Sequence, residues 1–202
     1  MLTTFVVETP YGPARVHLQG ADGARAALVL GHGAGGGVAA PDLVAAKEAA
    51  LEESFAVALV EQPYRVAGRR SPAPAHQLDS AWIAVLERLR GDELVGLPVI
   101  TGGRSSGARV ACRTAEATGA VGVLCLAFPL KPPGRLAPSR LPELDGLRIP
   151  VLVIQGAGDP FGMPPPGPKR NVVTVRGNHS LRSDTPALHD AVRKWLRERG
   201  AA

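Results

Sequence analysis

The sequence predicts an α/β fold with a mainly parallel sheet, helices on both faces, an antiparallel hairpin at the N-terminus and no cap domain. Three observations carry that prediction. From Ala26 onward short apolar segments alternate with amphipathic ones, the pattern of strands that pair in parallel because a helix returns the chain between them. Ahead of that alternation two extended stretches flank Pro10-Tyr11-Gly12-Pro13, a connection short enough for a hairpin and too short for a crossover. Between an apolar run and a helical pattern stands Gly103-Arg104-Ser105-Ser106-Gly107, where the chain must turn sharply from strand to helix.

The elements run in order. Phe5 to Glu8 and Ala14 to Leu18 read as the arms of the hairpin. Ala27 to Leu30 is an apolar strand, followed by a helix over 41 to 53 whose opening Pro41-Asp42 suits a first turn. Ala56 to Val60 is the next strand and 76 to 90 the next helix. A strand over Val99 to Thr101 leads into a helix over 106 to 117, ended by Thr118-Gly119. Strands over Val121 to Leu126, Val151 to Ile154 and Val172 to Val175 come next, and a helix over 185 to 199 closes the chain. The proline-rich connection from Phe128 to Gly134 leaves room before Val151 for one short helix around Leu141 to Leu144. That is too little for a cap domain, so the expected site is open and shallow. Met163 to Pro168 reads as a stiff proline-rich loop. With no linker or repeat in view, residues 1 to 202 are expected to form a single domain.

The composition narrows the function. An apolar fraction of 45% over 202 residues suits a sizeable core. Met1-Leu2-Thr3-Thr4 carries no basic region, and no apolar run reaches the length of a bilayer. A cytoplasmic protein without a membrane partner is therefore expected. Cys112 and Cys125 are the only cysteines, and they read as buried reduced thiols. The net charge of +5 is uneven: residues 1 to 101 hold 8 basic and 11 acidic side chains, residues 102 to 202 hold 15 and 7. Arg193, Lys194, Arg197 and Arg199 crowd the last helix without any aromatic stacking cluster. They read as a solvated basic face and no nucleic-acid partner is expected. Oligomeric state is not legible, although the hairpin offers an exposed edge.

The chemistry resides in the loops at the ends of the strands. A serine flanked by Gly103 and Gly107 can stand clear of the backbone on a nucleophile elbow, because a Cβ at either glycine would collide with the strand or helix brought close by the turn. A serine hydroxyl needs a base to take its proton and a carboxylate to orient that base. Asp159, in Gly156-Ala157-Gly158-Asp159-Pro160-Phe161-Gly162, and His179, in Gly177-Asn178-His179-Ser180, each come after a strand. The order Ser105, Asp159, His179 is that of the Ser-Asp-His hydrolases. Asp159 also suits an Asx turn and His179 a helix cap. Asp145 and Asp184 are alternative acids, the first leading into a strand, the second better placed to cap the last helix. The loop Gly31-His32-Gly33-Ala34-Gly35-Gly36-Gly37 can hold an oxyanion through the N–H of Ala34, with that of Ser106 as second donor. Gly33 and Gly35 would let that backbone approach closely, and His32 would brace the loop.

Two further readings accompany this one. Gly31-x-Gly33-x-x-Gly36 after a strand, with Glu61 ending the next strand, matches the dinucleotide fingerprint of an NAD(P)-binding oxidoreductase. Against it, Val38-Ala39-Ala40 separate the glycines from the helix, which in that fingerprint should begin at once. Pro63-Tyr64-Arg65, beyond the strand ending at Val60, reads first as a solvated loop; Tyr64 and Arg65 there, together with Arg104 and Phe161, are candidates for a substrate rim. Arg104 reads as a salt-bridging residue slightly ahead of a substrate contact.

With these motifs in place, the chain from about Ala26 to Arg199 resembles a small lidless α/β-hydrolase of the dienelactone hydrolase group. Gly102-Gly103-Arg104-Ser105, and Phe128-Pro129-Leu130 with Pro132-Pro133-Gly134, carry the likeness to a subset of serine hydrolases there. The resemblance implies the α/β-hydrolase fold, a catalytic set of Ser105, Asp159 and His179, a small acyl substrate, and neither metal nor organic cofactor. Two departures limit it. Dienelactone hydrolases use cysteine where this chain has Ser105, so their substrate does not carry over, and Ser106 replaces the larger apolar residue usual after the nucleophile. Some relatives of this shape have assembly roles, which keeps a non-catalytic interaction module open.

Overall fold

A computed structural model of the chain describes residues 1–20, 22–131 and 137–199. Its elements are β1 (Leu2–Thr9), β2 (Gly12–Gln19), β3 (Ala26–Gly31), α1 (Pro41–Glu52), β4 (Phe55–Glu61), α2 (Pro63–Val66), α3 (Ala75–Gly91), β5 (Val99–Arg104), α4 (Ser106–Thr114), β6 (Gly122–Leu126), α5 (Leu141–Asp145), β7 (Val151–Gly156), β8 (Arg170–Val175) and α6 (Thr185–Arg197).

The strands form one eight-stranded sheet in the order β1-β2-β4-β3-β5-β6-β7-β8. β1 pairs antiparallel with β2, and β2 antiparallel with β4. From β4 to β8 every pairing is parallel. The expected hairpin thus extends one edge of a parallel sheet. The alternation of β3 explains its central place: Leu28 and Leu30 turn to a core shared with α1 and α6, whereas Ala27 and Val29 turn to one shared with α3. A third cluster lies under α4 and α5, around Phe128, Val123 and Val153. A strand buried on both faces has no polar positions to alternate, hence its continuous apolar run.

Several boundaries differ from those read in the sequence, among them the end of β5, which runs to Arg104 rather than Thr101. α4 stops at Thr114; beyond it both the N–H and the hydroxyl of Thr118 donate to the Thr114 carbonyl. β6 begins at Gly122, leaving Val121 exposed. Pro63 to Val66, read as loop, forms the short helix α2, with proline at its first position. The part of the proline-rich motif at 132 to 134 lies outside the described residues.

Chain order and sheet order together locate the site. From β3 the chain goes to β4 on one side and then crosses to β5 on the other. The loops leaving β3 and β5 therefore diverge and open a crevice at the carboxyl ends of the strands.

Candidate active site

The elbow forms as its glycines require. Ser105 has φ 51° and ψ −105°, a left-handed backbone unfavourable for any residue with a Cβ. Its N–H donates to the Leu126 carbonyl at 2.8 Å, and its carbonyl accepts from Arg109 N–H at 3.2 Å. Strand β6 and helix α4 thus hold the serine from both sides. A Cβ on Gly103 or Gly107 would overlap the carbonyl oxygen of Gly31, and one on Gly102 that of Leu124. Hence α4 can pack directly on the end of β3.

The three side chains proposed from the sequence come together. Ser105 Oγ lies 2.9 Å from His179 Nε2. His179 Nδ1 lies 2.8 Å from Asp159 Oδ2. An ionised carboxylate only accepts, so Nδ1 carries the proton and Nε2 is free to accept from the serine hydroxyl. The Asp159 side chain is 1% exposed and that of His179 19%. The carboxylate is sealed while the imidazole can be reached from solvent.

The loops that hold the acid and the base brace one another. Asp159 Oδ1 accepts from the Phe161 N–H at 2.9 Å. The Asx turn and the orienting carboxylate are therefore the same residue, one oxygen serving each. Oδ2 takes a second bond from Gln155 Nε2 at 2.8 Å. The N–H of Gly158 donates to the carbonyl of Gly177 at 2.8 Å. In the histidine turn, Asn178 Oδ1 accepts from the N–H and hydroxyl of Ser180. The ring of Phe161 packs against the imidazole with centroids 4.5 Å apart. Asp145 and Asp184 are engaged elsewhere, with Arg170 and Arg176. Asp184 does occupy the N-cap position of α6, but its side chain makes no capping bond.

The glycine loop after β3 faces the elbow. Among the described residues the N–H groups of Ala34 and Ser106 donate to no protein acceptor, and Ser106 is the first residue of α4, whose leading amides are unpaired by geometry. His32 Nδ1 contacts the Gly33 carbonyl at 2.8 Å, and its Nε2 accepts from the N–H of Gln62 at 3.1 Å. Burial pushes its pKa down, and an Nε2 that accepts leaves the ring proton on Nδ1, which donates to the Gly33 carbonyl. Both nitrogens are thereby used, leaving His32 as the brace of this loop.

Several expectations about the surroundings are corrected. Tyr64 is no rim residue: it is buried, and its hydroxyl donates to the Ala34 carbonyl at 3.1 Å. Arg104 needs no correction: it turns inward, onto Asp42 and the carbonyl of His179, in keeping with its reading as a salt-bridging residue. A Cβ on Gly33 would strike Arg104, whereas one on Gly35 would meet no protein atom within 4 Å. Arg65 is half-buried. Glu61, the acid of the dinucleotide reading, pairs with Arg15 at 2.9 Å. The basic face of α6 is only partly free, since Arg193 and Arg197 pair with Glu52 and Glu53 at the end of α1.

Two functional positions escaped the sequence reading. Gln155 is fully buried, and its amide nitrogen also lies within 3.0 Å of the carbonyls of Phe128 and Gly162. With acceptors on every side, only the nitrogen can occupy that position. Its signal was a lone amide at the end of the apolar run Val151 to Ile154. Asp42 was visible only as a helix first-turn residue.

A serine on a strained strand-to-helix turn, at the switch point of such a sheet, defines an α/β-hydrolase. Among the described residues no cap domain covers it, which makes it a small lidless one. The chain belongs to the family described as Alpha/beta hydrolase domain, which residues 24–184 match. No curated protein matches the chain. Among solved structures, an α/β serine hydrolase without a lid from Xanthomonas campestris superposes with a TM-score of 0.78 at 18% identity, covering 100% of this chain and 96% of that one. Est1E from Butyrivibrio proteoclasticus gives 0.79 at 14% identity, covering 98% and 99%. An esterase from Pyrococcus furiosus gives 0.76 at 14%, covering 98% and 92%. At such identities the likeness is one of fold. Among the described residues no helix is long and apolar enough to cross a membrane.

Proposed function

We propose that this protein is a cytoplasmic serine hydrolase that cleaves a carboxylic ester or related acyl compound through an acyl-enzyme. The observation that carries the reading is the continuous row Ser105 Oγ, His179 Nε2, His179 Nδ1, Asp159 Oδ2, with separations of 2.9 and 2.8 Å. Ser105 Oγ attacks the acyl carbon while its proton passes to His179 Nε2. The carbonyl oxygen becomes an oxyanion facing the N–H groups of Ala34 and Ser106, each worth about 3–4 kcal/mol in such sites. The tetrahedral adduct collapses as the imidazolium gives its proton to the leaving alcohol. Water, deprotonated by His179, then attacks the acyl-enzyme, and Ser105 leaves with the returned proton. Asp159 keeps Nδ1 protonated and stabilises the imidazolium throughout.

The ester class is supported by neighbours of the same fold: the Pyrococcus furiosus protein is an esterase, and Est1E has been solved with ferulic acid bound. The test is hydrolysis of p-nitrophenyl acetate and butyrate at pH 8, with fluorophosphonate labelling, by the wild type and Ser105→Ala. Turnover and labelling are expected in the wild type alone, at equal thermal stability. Labelling at another residue, or turnover that survives the substitution, would remove Ser105 from its role.

A further inference from the structure

Arg104 takes no part in the chemistry proposed above, yet it touches the glycine loop and the loop that carries His179. Its Nε lies 2.9 Å from Oδ2 of Asp42, a fully buried carboxylate at the start of α1. Its Nη2 donates to the backbone carbonyl of His179 at 3.1 Å. Its Nη1 lies against the glycine loop, such that a Cβ on Gly33 would come within 2.7 Å of it. One planar cation, attached to the residue before the nucleophile, therefore spans α1, the loop facing the oxyanion and the loop that carries the base.

We propose that Arg104, anchored by Asp42, is a positioning residue that holds the His179 loop and the glycine loop in register with the nucleophile elbow. The inference rests on the serine hydrolase reading. The loops after β3, β5 and β8 leave different strands: the register of β3 on β5 sets Gly31 against Gly103, but β8 lies three positions from β5, and the loops beyond the last paired residues still have to be tied to one another. A guanidinium can do so because its donors diverge in a fixed plane, whereas a lysine ammonium could satisfy the carboxylate or the carbonyl but cannot reproduce the fork. Asp42 in turn is held by its Oδ1, which accepts from the Leu43 N–H at 3.0 Å. Burial pushes the Asp42 carboxyl up, and Arg104 is foremost among the groups that pull it back. The pair is thus mutually dependent, since removing one member strands the other charge in the interior. It also accounts for Gly33, which has no side chain because the guanidinium occupies that space.

The arrangement is tested with Arg104→Lys, which keeps the charge, and with the double variant Asp42→Asn/Arg104→Met, which removes both charges together. Each is compared with the wild type by kcat and KM for p-nitrophenyl butyrate, by the rate of fluorophosphonate labelling at Ser105, and by Tm. Displacing the base or the oxyanion loop slows acylation without altering how an ester is first bound. The expected result is a kcat and labelling rate lower by roughly ten- to a hundredfold in both variants, with KM within about twofold and Tm within a few degrees. Wild-type kcat and labelling in either well-folded variant overturns the proposal, and so does a loss of rate that merely tracks a collapse of Tm in both. A wild type that is not labelled at Ser105 defeats the hydrolase reading and this inference with it. A labelled wild type with equally reactive variants defeats this inference alone.

Discussion

At the scale of the residue, Ser105 is held where its own backbone resists it. The φ of 51° and ψ of −105° at Ser105 cost on the order of 1–3 kcal/mol for a residue with a Cβ. Glycine would escape that cost, less roughly 0.5–1 kcal/mol for the extra freedom it loses on folding. Ser105→Gly should therefore be inactive yet more stable than Ser105→Ala by about 1 kcal/mol in urea unfolding. Equal or lower stability for the glycine variant would mean that no strain is stored at the elbow. His32 gives a second residue-scale prediction. Burial holds its folded pKa below the ordinary histidine value of 6.5, so in that window the unfolded chain binds more protons than the folded one. Its contribution is fully present above the unfolded pKa and is lost as pH falls through 6.5 towards the folded value. Thermal midpoints of the wild type should drop over that range more steeply than those of His32→Gln, and parallel pH profiles would refute the assignment.

At the scale of the element, the site depends on how closely α4 can lie on β3. Gly107 sits over the carbonyl of Gly31 with no room for a Cβ. Gly107→Ala must push helix from strand, and because Ser105 is the N-cap of α4 it must also move the nucleophile. A loss of at least about 2 kcal/mol of unfolding free energy is expected, with loss of fluorophosphonate labelling. A stable, fully labelled variant would show that the helix can shift without consequence. This is also where the sequence was most legible. Ser105, Asp159 and His179 could be read because turn chemistry at the end of a strand is local, written in glycines and Asx residues beside the reactive group. The partners of Arg104, the buried amide of Gln155 and the inward turn of Tyr64 could not. Each depends on which loops the sheet order brings together, and a single strand pattern carries no information on that order.

At the scale of the whole molecule, the question is what stands between the serine and the solvent. In the connection from β6 to β7, the described residues supply only α5, which is tied down rather than poised to move. Glu143 of α5 bonds Arg109 at 2.9 and 2.5 Å and lies 3.6 Å from Arg113, all on the flank of α4. Arg113 also bonds Asp79 of α3, so a bidentate network clamps α5, α4 and α3 into one layer. That network holds α5 against α4 and α3, and the His179 side chain is already part-exposed. Hydrolysis of a short-chain ester such as tributyrin should therefore rise smoothly through its solubility limit, with no jump in rate when droplets form. A sharp increase at that limit, in a protein whose Ser105 is already labelled in the absence of droplets, would require a cover over the site that these contacts do not provide.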